Sequence, residues 1–238
     1  MNKDETVEAT ETVEKNPARE VLFFELETFA TTGREAMFEA LKKVMKSKEL
    51  EVTQALFAKC GLTARPGAAI QAMIEDSGRN LTTGDQLADQ AENALKKFFT
   101  DQAELNPALP ALIKVAQKKD IEVVALSPWG QEQAAALMKK LGLDEMGVDL
   151  VALDCEEAVF PRADHWLRFL KQREQDVIPV IALVTSSAAC RGAMTAGATC
   201  VAIPDTYTSF EDFSGAKVII DSLDEMKPAA LLELVSRH

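Results

Sequence analysis

Short apolar runs alternate with helix-like stretches over the second half of the chain. The runs are Ile121–Leu126, Asp149–Leu153, Val180–Thr185, Cys200–Ile203 and Val218–Ile220. The stretches between them have helical periodicity and include Gln131–Leu141, Asp164–Arg173 and Ala188–Ala196. This alternation predicts βαβ units and therefore a parallel sheet covered by helices. An earlier apolar run, Val21–Leu26, predicts the first strand of the same sheet.

The pattern between the first strand and the second half of the chain is helical throughout. From Gly33 to about Asn106, apolar residues recur at helical spacing, and about four helices are predicted. We therefore divide the chain into an α/β core, residues 20–33 and 107–238, and an inserted helical cap, residues 34–106. Residues 1–19 are rich in Glu, Thr and Lys, which predicts a disordered acidic tail that serves as a solubilising segment or as a docking arm.

Composition and charge limit the kinds of molecule that the protein is expected to bind. The chain has 47% hydrophobic residues, ordinary for a soluble domain, and a formal charge of −12, which would repel nucleic acid and anionic membranes. Its beginning lacks the apolar segment of a secretory signal, and no run approaches the roughly 20 apolar residues of a membrane helix. The four cysteines form no CxxC pattern, which predicts reduced, buried thiols. A cytoplasmic protein is expected.

The candidates for chemistry follow the predicted strands, because ligands of open α/β sheets bind at the carboxyl ends of the strands. Glu25 and Glu27 follow the first strand, Ser127 the second and Thr185 the fourth. Carboxylates here can act as nucleophile, acid or metal ligand, and a hydroxyl can bind phosphate. The same residues also occur as solvated strand exits and helix N-terminal residues, so both interpretations stay open.

Two of these loops have the spacing of known motifs. The segment Phe24–Thr28 carries acids at the positions of a strand ending in Asp-x-Asp-Gly, but each Asp is lengthened to Glu and Thr28 replaces the glycine. Ser127 lies where a second motif has a phosphate-binding Ser or Thr, and the helix after it runs into Leu141-Gly142-Leu143. The chain thereby resembles the haloacid dehalogenase (HAD) superfamily, in the subgroup that includes phosphoglycolate phosphatase and β-phosphoglucomutase.

The remaining motifs of that family are more altered. The segment from Thr185 to Gly197 fits the frame of the fourth motif without a gap, yet Val184 and Thr185 stand where the family has acids. In the third motif Phe160 replaces the lysine. Arg162 either brings that positive charge back to the site or is a solvated surface arginine, and the second interpretation is favoured.

The resemblance implies a Rossmann-like three-layer core with an inserted cap and a hydrolase site. In the family the first Asp is the nucleophile, the second is the general acid/base, and Mg²⁺ is held by the first carboxylate, a backbone carbonyl and the fourth-motif acid. The corresponding catalytic positions are Glu25, Glu27 and Ser127, with Arg162 nearby, and the metal positions are Glu25, Glu27 and Thr185. Because Thr185 offers a neutral hydroxyl, Mg²⁺ is expected to bind weakly or not at all.

Two functions remain open. A longer Glu moves the nucleophile by roughly 1 Å, and a shift of that size can lower a rate by about 10²-fold. The first hypothesis is therefore a non-catalytic or impaired HAD-like protein that binds a small ligand or a protein partner at the cap–core cleft. The alternative is an active, phosphatase-like hydrolase of a small phosphorylated metabolite that uses Glu25 as nucleophile. The sequence identifies neither the ligand nor a protein partner.

Overall fold

A computed structural model describes residues 20–79, 84–155, 160–171 and 179–236 of the chain. Each predicted apolar run forms a strand, and the observed bounds differ from the predicted ones by a single residue. The strands are β1 Val21–Glu25, β2 Glu122–Ser127, β3 Asp149–Ala152, β4 Val180–Val184, β5 Thr199–Ala202 and β6 Val218–Ile219.

The strands form one parallel sheet in the order β3-β2-β1-β4-β5-β6. Strand β1 lies in the middle, where Phe23 pairs with Val124 on one side and Ala182 on the other. Parallel neighbours end at the same edge of a sheet. Residues that follow β1, β2 and β4 therefore come together, and the predicted α/β fold class is confirmed.

Helices cover both faces of this sheet because side chains alternate along each buried strand. Phe24 packs in an apolar cluster with Leu112 and Leu231, whereas Phe23 packs in another with Trp166 and the helix that follows β4. The helices are α1 Leu26–Phe29, α2 Gly33–Lys46, α3 Gln54–Cys60, α4 Pro66–Asp76, α5 Gly84–Asp101, α6 Leu109–Lys118, α7 Gln131–Lys140, α8 Ala163–Lys171, α9 Ser187–Thr195 and α10 Pro228–Val235. The result is the expected three-layer core.

Helices α2 to α5 form a separate apolar cluster, and we call them the cap helices. Their buried side chains include Met45, Phe57 and Ile70, which bury the apolar faces that the helical spacing predicts. The cluster also takes in Trp129, which comes from the core loop after β2. The cap is therefore packed against the core at the end of the sheet where the candidate residues lie.

Three further expectations concern the chain as a whole. The predicted tail, residues 1–19, lies outside the described residues. Within the described ranges, no helix has the length and the apolar character needed to cross a membrane. Cys60, Cys155, Cys190 and Cys200 are all buried thiols, and none of the four is in a disulfide, as predicted.

Candidate functional site

Glu25 ends β1, and its carboxylate is enclosed by the protein. Only 5% of the residue is exposed. Helix α1 begins at the next residue, so its first turn brings Thr28 back toward Glu25, and the Thr28 hydroxyl donates to Glu25 Oε2 at 2.6 Å. The Thr185 backbone N–H donates to Oε1 at 3.3 Å. Burial raises the pKa of Glu25, against the opposing effects of the Arg34 charge and these hydrogen bonds.

Glu27 lies within α1 and points toward β2. The Ser127 hydroxyl donates to Glu27 Oε1 at 2.5 Å, and Ser127 Oγ itself accepts the Trp129 backbone N–H at 3.0 Å. Burial raises the pKa of Glu27 to about 8, although the Ser127 hydrogen bond acts in the opposite direction. Glu27 is therefore mostly protonated and uncharged at neutral pH.

Arg34 reaches the same place from the first cap helix. Its Nη2 donates to Thr185 Oγ1 at 2.8 Å, and Nη1 donates to the Thr185 carbonyl at 3.3 Å and to Asp205 Oδ2 at 2.5 Å. The Arg34 side chain is 9% exposed and that of Asp205 is 33% exposed. A guanidinium thus lies at the ends of β4 and β5, opposite the Glu25 carboxylate.

The position of Arg34 depends on how closely α2 approaches α1. An ideal Cβ at Gly33 would lie 2.3 Å from the carbonyl oxygen of Glu27, a distance that no real side chain tolerates. That carbonyl also accepts the Thr31 hydroxyl at 2.8 Å. Glycine at the first position of α2 therefore permits the contact that directs the next residue, Arg34, into the site.

Most of the predicted site residues do come together. Glu25 is hydrogen-bonded to Thr185, Glu27 is hydrogen-bonded to Ser127, and both glutamates line one cleft. Arg162 is the exception: its side chain is 51% exposed and its Nε lies 3.1 Å from Asp164 Oδ1. Arg162 therefore forms an ion pair at the surface, next to the start of α8. Phe160, which replaces the third-motif lysine in the sequence, lines the cleft.

Solved structures provide a comparison for this arrangement. CbbY from Rhodobacter sphaeroides in complex with phosphate aligns with a TM-score of 0.71 and 20% identity over 91% of this chain and 99% of that chain. A β-phosphoglucomutase from Clostridium difficile aligns with a TM-score of 0.73 and 14% identity over 91% and 97%. A HAD hydrolase of family IA from Entamoeba histolytica aligns with a TM-score of 0.71 and 15% identity over 91% and 99%.

The chain has a HAD-like fold. At these identities the likeness shows the fold alone, and the residues of the site must be judged by their own geometry. No family model matches the sequence, and no curated protein matches it either.

The metal-binding positions implied by the HAD resemblance do not fit Mg²⁺ in this chain. Glu25 Oε2 accepts the Thr28 hydroxyl, the Glu27 carbonyl accepts the Thr31 hydroxyl, and Thr185 Oγ1 accepts Arg34. Mg²⁺ requires several free, hard oxygens in near-octahedral geometry. In the part of the chain that the structure describes, no group of three or more His, Cys, Asp and Glu side chains is arranged to hold a metal.

The cleft between cap and core, which we call the central cleft, has a volume of about 50 Å³. Its walls include Glu25, Arg34, Trp129 and Phe160. Trp129 is only 3% exposed, and the Arg65 guanidinium lies 4.8 Å from the centre of its ring. Water occupies roughly 30 Å³ in the liquid, so the central cleft has room for a few waters at most.

Core and cap are joined at two further points beside the central cleft. The Tyr207 ring, from the loop after β5, lies 5.4 Å from the Phe38 ring and 4.9 Å from the Phe57 ring of the cap. Arg65 Nη1, at the start of α4, lies 3.4 Å from Asp154 Oδ1 in the loop after β3. These contacts hold the cap closed over the site.

A second cavity lies between cap helix α5 and core helix α7, and we call it the side pocket. Its volume is about 140 Å³. Its lining includes the apolar side chains of Phe99, Trp129 and Leu137. Glu27, Lys96 and Lys140 also line it. The Lys140 ammonium donates to the Thr100 carbonyl at 2.7 Å, which ties the two helices together beside the pocket.

Sequence reasoning missed Arg34 and Asp205. Asp205 follows β5 in the segment Ile203-Pro204-Asp205, so the rule that directed attention to the ends of the other strands would have found it. Arg34 carried no comparable signal, because an arginine in the first turn of a helix is usually solvated. His165, in the first turn of α8, is buried, and its Nδ1 accepts the Arg162 backbone N–H at 3.1 Å.

Proposed function

We propose that this chain is a non-catalytic protein of HAD-like fold that binds a small ligand or a protein partner at the boundary between cap and core. The observation that carries the proposal is the enclosure of the Glu25 carboxylate, which is 5% exposed and accepts hydrogen bonds on both oxygens. A nucleophile needs a free lone pair directed at its substrate. Glu25 directs its oxygens at Thr28 and Thr185 instead.

Charge and space point in the same direction. Burial raises the pKa of Glu25, which makes the nucleophilic anion less favourable, and the metal positions are occupied by hydroxyl groups and a guanidinium. Small-molecule sites usually measure about 300–1,000 Å³. A central cleft of about 50 Å³ leaves no space for a phosphorylated metabolite while the cap is closed.

The side pocket offers more space for a small ligand than the central cleft. At about 140 Å³ it is similar to an engineered cavity of roughly 150 Å³ that binds benzene. Its walls are mainly apolar, but the mostly protonated Glu27 adds one polar group, and Lys96 and Lys140 add positive charge. A ligand with one aromatic ring and one anionic group matches this lining.

The absence of catalysis is tested by incubating the protein with a panel of phosphorylated metabolites and Mg²⁺ and measuring released phosphate. We expect no turnover above that of Glu25→Gln. The matched control is Glu132→Gln, because Glu132 is an exposed residue of α7 that lines neither the central cleft nor the side pocket. Turnover that is present in the native chain and in Glu132→Gln, but lost in Glu25→Gln, would contradict the proposal.

One observation favours the alternative of an active hydrolase. Glu27 lies at the general acid position of the HAD pattern and is mostly protonated at neutral pH, as a general acid must be. This alternative predicts phosphate release that falls as the pH rises through about 8, the pKa of Glu27. The same metabolite screen, repeated at several pH values, separates the two functions.

Ligand binding to the side pocket is tested through the fluorescence of Trp129, with benzoate as the probe. We expect a saturable change that Trp129→Phe removes and Ala136→Phe weakens, because Ala136 lines the pocket. Ala135→Phe is the control, since Ala135 is an exposed neighbour on the same helix that does not line it. An equal response in Ala136→Phe and in the native chain would place the probe elsewhere.

A further inference from the structure

We infer that Arg34 is the resident cation of this site: its guanidinium binds Thr185 and Asp205 next to Glu25 and supplies the positive charge that a divalent cation would bring, so the protein excludes Mg²⁺. The inference does not depend on whether the protein is catalytic. It goes beyond the lack of a nucleophile, because it assigns a specific role to a cap residue that the motif comparison does not include.

Arg34 donates to one oxygen of the implied metal positions, Thr185 Oγ1, and to two further oxygens beside it. Both oxygens of Thr185 accept from the guanidinium, Oγ1 at 2.8 Å and the carbonyl at 3.3 Å. Asp205 Oδ2 accepts at 2.5 Å. A planar guanidinium with several N–H groups can satisfy such a spread of acceptors at once.

Asp205 supplies the negative charge that the end of β4 lacks. Where the HAD pattern has acids after the fourth strand, this chain has Thr185, and Arg34 connects Thr185 to an acid that follows β5, Asp205. The site therefore retains two carboxylates, Glu25 and Asp205, together with the Thr185 oxygens. That donor set would suit a hard cation if Arg34 were absent.

Arg34 brings a positive charge close to both acids of the site. Glu25 and Arg34 are both buried, and a buried anion without a counter-charge is costly. The Arg34 charge lowers the pKa of Glu25 and the Asp205 charge raises it, so the three groups interact electrostatically. A Mg²⁺ ion placed among them would be repelled by the guanidinium at short range.

The Arg34 contacts also fasten the cap to the core. Arg34 belongs to α2, whereas Thr185 and Asp205 belong to the core loops that follow β4 and β5. A free metal ion would not connect cap and core in this way, because it is not part of a cap helix. We therefore expect that the native protein keeps its cap closed without any added ion.

The first experiment compares thermal unfolding with and without 10 mM MgCl₂, with NaCl matched for ionic strength. We expect no Mg²⁺-specific change in Tm for the native chain or for Arg34→Lys, which keeps the positive charge. Arg34→Gln should have a lower Tm that rises by about 2–4 °C in Mg²⁺, the effect of a millimolar site in a chain of this size. A Mg²⁺-specific rise in the native chain, or no rise in Arg34→Gln, would overturn the inference.

A second pair of variants keeps the test informative if Arg34→Gln fails to fold. Thr185→Asp restores an acid to the motif position and leaves Arg34 as its partner. By calorimetric titration we expect Thr185→Asp to show no Mg²⁺ binding and the double variant Thr185→Asp/Arg34→Lys to show none either. Mg²⁺ binding by Thr185→Asp with Arg34 in place would refute exclusion by the guanidinium. These readouts are independent of turnover, so failure here is distinguishable from failure of the proposed function.

Discussion

Glu25 and Glu27 lie two positions apart and are almost equally buried, at 5% and 6% exposure, yet the protein gives them different electrostatic surroundings. Glu25 faces a guanidinium, whereas Glu27 faces the hydroxyl of Ser127. Burial raises the pKa of both carboxyls, but only Glu25 has a nearby positive charge that opposes the effect. The comparison shows that two almost equally buried carboxyls can have different electrostatic surroundings, because neighbouring groups oppose the effect of burial differently at each.

The comparison also bears on the proposed lack of phosphoryl transfer. Near Glu25 the positive charge comes from Arg34, and both Glu25 carboxyl oxygens accept hydrogen bonds. On the Glu27 side a proton replaces the cation. Both arrangements satisfy buried polar groups, as a stable interior requires.

The largest expected effect comes from removing the charge on the Glu25 side. Arg34→Gln leaves Glu25 and Asp205 without their counter-charge, and loss of one partner of a buried pair typically costs about 3–5 kcal/mol. Because the Asp205 side chain is 33% exposed, we expect about 3 kcal/mol in urea denaturation at neutral pH. Arg34→Lys is the control and should lose less. Equal losses in the two variants would mean that shape, not charge, determines the effect.

The next effect concerns the pH dependence on the Glu27 side. The pKa of Glu27 is about 8 in the folded protein against an ordinary value of 4.5, so between these pH values the native state binds more protons than the unfolded state. Its contribution to the free energy of unfolding is therefore full below about 4.5 and is lost as the pH rises toward 8.

Glu27→Gln tests this pH dependence, because it keeps a neutral hydrogen-bonding group of similar shape. We expect a flatter profile of unfolding free energy against pH. A residual slope should persist, since burial also raises the pKa of Glu25. Chemical denaturation at several pH values measures both slopes, and identical profiles would show that Glu27 does not titrate as described.

A smaller effect is expected from a substitution that disturbs the close contact between α1 and α2. This contact directs Arg34 into the site, and Arg34 is what distinguishes the surroundings of the two glutamates. Gly33→Ala introduces a Cβ where the Glu27 carbonyl lies, and we expect destabilisation by about 1–3 kcal/mol. Gly67→Ala is the matched control, since Gly67 is also near a helix start but its added Cβ would meet nothing nearer than 3.8 Å. Gly67→Ala should be neutral or slightly stabilising by chemical denaturation. Similar losses in both would remove the argument for a close contact at Gly33.

The smallest effect is expected at Arg162. Its ion pair with Asp164 is half exposed, and exposed pairs of this kind contribute about 0–1 kcal/mol. Arg162→Ala should therefore change the free energy of unfolding by no more than about 0.5 kcal/mol and leave the pH profile unchanged. A change in the pH profile would instead connect Arg162 with the two glutamates.

Much of the fold was predictable because periodicity is a local property. Buried parallel strands are continuous apolar runs, so Val180–Val184 stands out from the amphipathic stretches around it. The sheet rule then brings Glu25, Ser127 and Thr185 to one edge, as the structure does. Arg162 was less predictable, because a helix start near the site can direct a side chain into the cleft or into solvent.

By itself, the sequence determined the order of the elements, the inserted helices and the absence of the usual acids from the fourth-motif position. Only the tertiary structure decided what replaces them. Arg34 donates hydrogen bonds to residues that lie 151 and 171 positions away in the chain, and no local sequence pattern predicts such contacts. The charge of a buried carboxylate depends on the groups folded around it, so Glu25 and Glu27 look alike in sequence and differ in the protein.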